Sequence, residues 1–297
     1  MSEVAYPPID HVLRDLPFHL EVVGEHRQVA RMHCDADTSL GAVATVLDVL
    51  GGSLCASVVA PDWMATSTLT LRVGALPSSG TLELRAQVLR AGRRSVTIEV
   101  TLRHADTERP VGDATLSFAR LVRRETNLAL SELSVEIGRR VEFERILRGE
   151  VPSFDLAIGT VAVQDPTGGA TITELRPYVL NSFGALNGGV VAGVAVSTAR
   201  HWAAAQLDPG SAVDEVAVDE VVADEVAVHH LGQGRSGPVR STAREVTGAG
   251  APGGRRVVRV DLVDTGIETE PDAVGGEGDG RLMAVAHVGL CMVRPQV

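Results

Sequence analysis

The sequence predicts an α+β protein built from two successive, related halves, each a long apolar helix followed by antiparallel strands. Three observations carry this. Two apolar runs, Ser39 to Gly52 and Val190 to Trp202, read as helices. Each is followed by segments in which apolar and polar residues alternate, the period of a half-buried strand. Finally, Phe18, Leu20 and Val22 have counterparts in Phe154, Leu156 and Ile158, an offset of 136 residues that marks a divergent internal repeat.

A chain of 297 residues holds one large domain or two ordinary ones. The halves are set at 1–123 and 151–297, with a connector at 124–150. Hydrophobic content of 44% with only 3% aromatic implies a core of Val, Leu and Ala. In the first half, Phe18 to Val22 reads as a strand entered after Pro17. Ser39 is a helix N-cap, Val43, Val46, Leu47 and Leu50 keep helical spacing, and Gly51-Gly52 supplies a stop. Strands follow at Thr66–Val73, Leu82–Arg90, Val96–Leu102 and Val111–Val122, separated by turns at Pro77–Gly80, Gly92–Arg94 and around Asp106 and Arg109.

The connector is charged and strandless, with a short helix expected around Val141–Leu147. In the second half Phe154–Ile158 reads as a strand, and further strand-like runs are Ala170–Leu175, Glu225–His229, Val239–Val246, Arg256–Val263 and Leu282–Val293. The acidic pairs repeated from Asp214 to Val228 are expected as solvated acids on a surface; a metal site is the other reading. Gly266–Gly280 is expected to be a mobile loop.

Composition removes several function classes. A formal charge of −11 disfavours nucleic acid and anionic membrane surfaces as partners. All 27 basic residues are Arg, so Schiff-base chemistry and a phosphate-binding lysine are excluded. Cys34, Cys55 and Cys291 lack metal or redox spacing and read as free thiols in a reducing compartment. With no signal peptide and no uncharged run of membrane-spanning length, a cytoplasmic protein is expected. No cofactor and no metal are expected, and neither a G-x-S-x-G elbow nor an H-E-x-x-H motif occurs.

The most informative stretch is Asn181-Ser182-Phe183-Gly184-Ala185-Leu186-Asn187-Gly188-Gly189, which runs directly into the second apolar helix. Gly-Gly ahead of a helix by itself can be a mere loop end. It also offers bare backbone N–H groups at the positive end of a helix dipole, suited to a developing negative charge. In the first helix, Asp48 stands among apolar neighbours. It either reaches water at the helix edge or is buried and needs a partner.

The nonapeptide resembles the Asn-x-x-Gly-x-Leu-His-Gly-Gly signature of the PaaI-like acyl-CoA thioesterases of the hotdog superfamily, with Asn187 in place of the His. The family's catalytic Asp follows that His by nine residues, where this chain has Val196. Aligning Gly41 with Gly189 puts Asp48 at the family's acid position in the first half. There Ser39 and Leu40 replace the His and first Gly, and His33 stands where the second half has Asn181. The halves are degenerate in complementary ways.

The resemblance implies a double hotdog, two antiparallel sheets each wrapped around a long helix, and an acyl-CoA thioesterase with a composite site. Asp48 would be general base or nucleophile, the Gly188 N–H would hold the oxyanion, and Gly189 would complete the cradle. Asn181 would orient water or thioester, Thr66 would support the site from the Asp side, and Asn187 would replace the family's His. Arg90, Arg93 and Arg94 would meet CoA phosphates, or else are solvated surface arginines. Only one working site per chain is implied, the place of Val196, His33, Ser39 and Leu40 being vestigial. The other readings are a non-catalytic acyl-CoA or acyl-ligand binding module and a hotdog hydratase, for which His11, His19, His26, His33 and His104 form no clear Asp–His set. The acyl group, CoA against carrier protein, and a homo-oligomer of such chains are left open.

Overall fold

The computed structural model describes residues 6–122, 137–142, 153–165, 169–207, 221–247, 255–266 and 280–292. The first half contains a helical turn α1 (Val12–Asp15), strands β1 (Phe18–Gly24) and β2 (Arg27–Cys34), and the long helix α2 (Leu40–Val59). Four strands follow: β3 (Trp63–Val73), β4 (Gly80–Ala91), β5 (Ser95–His104) and β6 (Pro110–Leu121). A short strand, β7 (Arg140–Glu142), precedes the second half. The second half begins with the helical turn α3 (Phe154–Ala157), strands β8 (Thr160–Ala162) and β9 (Ala170–Thr173), and the long helix α4 (Gly188–Leu207). It ends with β10 (Val221–His230), β11 (Val239–Glu245), β12 (Arg256–Asp264) and β13 (Arg281–Met292).

The order of elements is the same in both halves: a helical turn, two strands, a long helix, four strands. The strands form one antiparallel sheet of 13, ordered β7-β1-β2-β4-β5-β6-β3-β10-β13-β12-β11-β9-β8. Outward from the β3–β10 junction, equivalent strands appear in the same order on both sides. The junction pairs Arg72 with Glu225 and Thr68 with His229, and an Arg72–Glu225 ion pair of 2.7 Å lies across it. The expected pair of separate sheets is therefore one continuous sheet. Each half would otherwise leave a long strand edge unpaired, and the two edges satisfy each other.

Two further details relate the halves. A bulge interrupts β3 between Thr66 and Thr68, and another interrupts β10 between Ala223 and Glu225, each 157 residues from its counterpart. α2 and α4 cross at glycines. A Cβ on Gly41 would stand 2.8 Å from Gly193 Cα, and a Cβ on Gly189 would stand 2.3 Å from Thr45 Cα. Gly41 and Gly189 are 148 residues apart, as are Thr45 and Gly193, so one contact is the other with the halves exchanged. Glycine lets the two backbones approach closer than side chains would permit.

Both long helices are buried nearly all round, and the inner sheet face gives them Leu69, Leu71, Leu82, Leu84, Ile98 and Leu116, all fully buried. Leu40–Val59 is, among the described residues, the one helix long and apolar enough to cross a membrane, and 78% of its apolar window is buried within the protein. Cys34, Cys55 and Cys291 are free thiols.

Several expectations are corrected. Phe154–Ala157 is helical, not a strand; Ser153 precedes it as His11 precedes α1, so its counterpart by order is α1. Gly51 and Gly52 do not stop α2, which runs on to Val59 and ends before Pro61, a residue that cannot continue a helix. Gly51 instead makes room for Leu116 and Phe118, each 3.1 Å from where its Cβ would be. The connector is not strandless, because Arg140–Glu142 pairs with β1. Val141 thus lies in a strand, not the expected helix, whose residues 143–147 fall outside the described residues. Residues 214–220 of the acidic stretch and 267–279 of the Gly-rich loop also fall outside them. Asp224 and Glu225 are paired with Arg255, at 3.0 and 2.6 Å.

Candidate active site

Asp48 is carried by α2 into the interior and is only 8% exposed. Such a carboxylate needs compensation. Thr66 Oγ1 donates a 2.7 Å hydrogen bond to Asp48 Oδ1. The β3 bulge lies at Ser67, whose hydroxyl donates to Ser117 O at 2.8 Å, while Thr66 keeps its place on the inner side. The third side is Gly188. A Cβ there would stand 2.9 and 3.0 Å from the two Asp48 oxygens and 3.1 Å from Thr66 Oγ1. Burial raises the Asp48 pKa above the usual carboxylate range, opposed by the Thr66 hydroxyl and then by the Gly189 amide. That amide also donates to Asn187 Oδ1, at 3.0 Å.

Gly188 is the first residue of α4, and Asn187 caps the helix. Its Oδ1 accepts from Gly189 N at 3.0 Å and Val190 N at 3.3 Å. The replacement of His by Asn thus supplies a good cap. The Gly188 N–H makes no hydrogen bond among the described residues. Asn181 shapes the loop before the helix: its Oδ1 accepts from Phe183 N at 2.9 Å and Ala185 N at 3.1 Å. Its oxygen is therefore spent on the turn, leaving the amide nitrogen for anything in the site. Phe183 packs on Trp63, ring centroids 4.1 Å apart.

Asp48, Thr66, Asn181, Asn187 and Gly188 share the wall of one cavity of about 440 Å³. It runs beside α2 past Gly52, Ser53 and Ala56 and is otherwise largely apolar, with Leu13, Leu20, Met64, Phe118 and Val191 among its walls. Gly189 is absent from the wall and serves the α2–α4 crossing. Arg90, Arg93 and Arg94 also do not line the cavity and are exposed on the β4–β5 hairpin. Phe118 on the cavity wall pairs with Val96 of β5, so the hairpin begins about one strand spacing, ~5 Å, from the nearest wall strand.

Tyr6, His230 and Gln28 are among the lining residues that the sequence did not single out. The Tyr6 hydroxyl is 3.4 Å from His11 Nε2; burial raises its pKa, as does Asp48, while an Asn187 hydrogen bond lowers it. His11 accepts from Leu13 N through Nδ1, so its Nε2 carries the proton and donates to Leu180 O at 2.7 Å. His230 follows Val226 and Val228 on the inner face of β10; burial pushes its pKa down to about 4, and its Nε2 has no partner among the described residues. Gln28 shares the inward face with Ala30, Met32 and Cys34, all buried. A polar residue in an apolar alternation was the available signal for both His230 and Gln28. No group of three or more His, Cys, Asp or Glu side chains that could hold a metal ion occurs among the described residues.

The equivalent place in the other half is filled. Val196, 148 residues after Asp48, is buried, and Ala223 stands where the first bulge has Thr66. Ser39 caps α2 and donates to Asp155 Oδ1 at 2.9 Å, and Asp155 pairs with Arg200 at 2.8 Å. The Phe154 ring lies 2.8 and 2.7 Å from where Cβ atoms on Gly41 and Gly193 would be. His33 is exposed.

No protein-family model matches the chain, and no curated protein matches it in sequence. Solved structures do match. A tesB protein from Mycobacterium avium subspecies paratuberculosis has 14% identity and a TM-score of 0.54, over 92% of this chain and 95% of that one. A putative oleoyl thioesterase from Lactobacillus plantarum has 11% identity and a TM-score of 0.56, over 95% and 100%. The 12:0-ACP thioesterase from Umbellularia californica has 12% identity and a TM-score of 0.51, over 89% and 94%. At such identities the likeness shows the fold, and the fold is that of the hotdog proteins.

Proposed function

We propose that this hotdog-fold chain is a thioesterase that hydrolyses an acyl thioester, an acyl-CoA in the first instance, at a composite site between its halves. The two halves, 1–123 and 151–297 with 124–150 as connector, stand to each other as a tandem double hotdog of PaaI-like type. The observation that carries the reading is one buried carboxylate, Asp48, held by Thr66 against the N-terminus of α4 on the wall of a largely apolar cavity. The likeness to structures described as thioesterases supports it.

In this reading the thioester carbonyl lies over the start of α4 and the acyl group fills the cavity. Asp48 takes a proton from a water as the water oxygen bonds to the carbonyl carbon. The carbonyl electron pair moves onto oxygen, where the Gly188 N–H and the positive end of the helix hold it. The tetrahedral intermediate collapses by breaking the C–S bond. The leaving thiolate recovers the proton from Asp48, giving one carboxylic acid and one thiol per water consumed. A raised Asp48 pKa suits this role, since a base closer to neutrality takes the proton more readily than an ordinary Asp.

The test is release of free thiol from a panel of acyl-CoA thioesters of increasing chain length. Catalytic release, many equivalents per chain, supports the proposal. Saturable binding without release would instead make the chain an acyl-CoA binding module.

A further inference from the structure

The wall that β1, β2 and β7 give the cavity consists of Leu20, Val22 and Val141, with Arg139 at its edge and one amide, Gln28. Gln28 lies opposite Val22 in the β1–β2 register and is 3% exposed. Its Oε1 is enclosed and has no hydrogen-bond partner among the described residues. Leaving a buried amide oxygen unpaired is costly, and native structures nearly always pair such groups with protein, water or ligand. A leucine of similar size would fill this apolar wall without that cost. The Gln28 side chain borders a cavity sized for a small-molecule ligand.

We propose that Gln28 reads a hydroxyl on the acyl group, so that the chain prefers hydroxylated acyl thioesters over unsubstituted ones. The inference rests on the thioesterase reading and deepens it. A hydroxyl both donates and accepts, so it matches the amide in either orientation. An unsubstituted chain would leave the Gln28 amide unpaired, the situation in which polar sites discriminate best.

Binding of octanoyl- and decanoyl-CoA is compared, by calorimetry, with that of the same chains carrying one hydroxyl at successive carbons. The protein is Asp48→Asn, so that the thioesters persist. At one hydroxyl position the affinity should exceed that of the plain chain by roughly tenfold or more. Gln28→Leu, or Gln28→Met as a second variant, should remove or reverse that preference while melting no lower than its parent. The proposal is overturned if no hydroxylated chain outbinds the plain one, as when a bound water satisfies Gln28, or if the preference survives both variants. Thiol release by the native protein separates the two claims. Release without a hydroxyl preference sinks this inference alone, and a preference without release sinks the thioesterase reading alone.

Discussion

Thr66 Oγ1 and Asp48 Oδ1, eighteen residues apart in sequence, meet at 2.7 Å across the interface between sheet and helix. Burial drives the Asp48 pKa up, and this hydroxyl is the largest influence holding it down. If Asp48 acts as base, activity needs its ionised form and rises with pH through that elevated pKa. Thr66→Val removes the hydrogen bond, so the acidic limb of the kcat/KM profile should move to higher pH. Thr66→Ser should keep it in place. An unmoved limb in Thr66→Val would show that the hydroxyl does not tune the reacting group.

Gly188 and Gly189 are adjacent but should fail differently. A Cβ on Gly188 meets the Asp48 and Thr66 side chains, which can shift, whereas one on Gly189 meets the Thr45 backbone at 2.3 Å. Gly188→Ala should melt near the native temperature and lose most turnover. Gly189→Ala should force the helices apart and lose about 1–3 kcal/mol of stability, read from denaturant unfolding. Equal loss of stability in both would remove the distinction.

One site per chain is expected. The second place has Val196 and Ala223 for the acid and hydroxyl, and Phe154 lies against Gly41 and Gly193 of the α2–α4 crossing. Titration with a non-hydrolysable acyl-CoA analogue should saturate near one equivalent per chain. Two equivalent sites would mean that the filled half opens to ligand.

Much of this was legible in the sequence, because each legible part has a local signal. The long helices showed in their apolar composition, and the strands in their alternation. Asp48, Thr66, Asn187 and Gly188 come from the resemblance to the PaaI-like signature, and the structure brings them onto one cavity wall. Less legible was whatever tertiary packing decides. Gly51 and Gly52 look like a stop until Leu116 and Phe118 need the space. Phe154–Ile158 alternates like a strand, yet its place in the fold is the helical turn of α1 repeated. Arg90, Arg93 and Arg94 are exposed on the hairpin outside the cavity wall, and charge alone does not separate a phosphate contact from a solvated surface. Tyr6 enters the site from a segment with no periodicity of its own, so nothing local announced it.

The central claim is that Asp48 supplies the base for thioester hydrolysis, and Asp48→Asn tests it most directly. Asparagine keeps the shape and the Thr66 hydrogen bond while removing the buried charge, so the variant should melt no lower than the native protein at neutral pH. Steady-state release of CoA from the best acyl-CoA substrate should fall by roughly 10²–10⁴-fold or more, with binding of that acyl-CoA retained. Release undiminished in a folded Asp48→Asn protein would contradict the account.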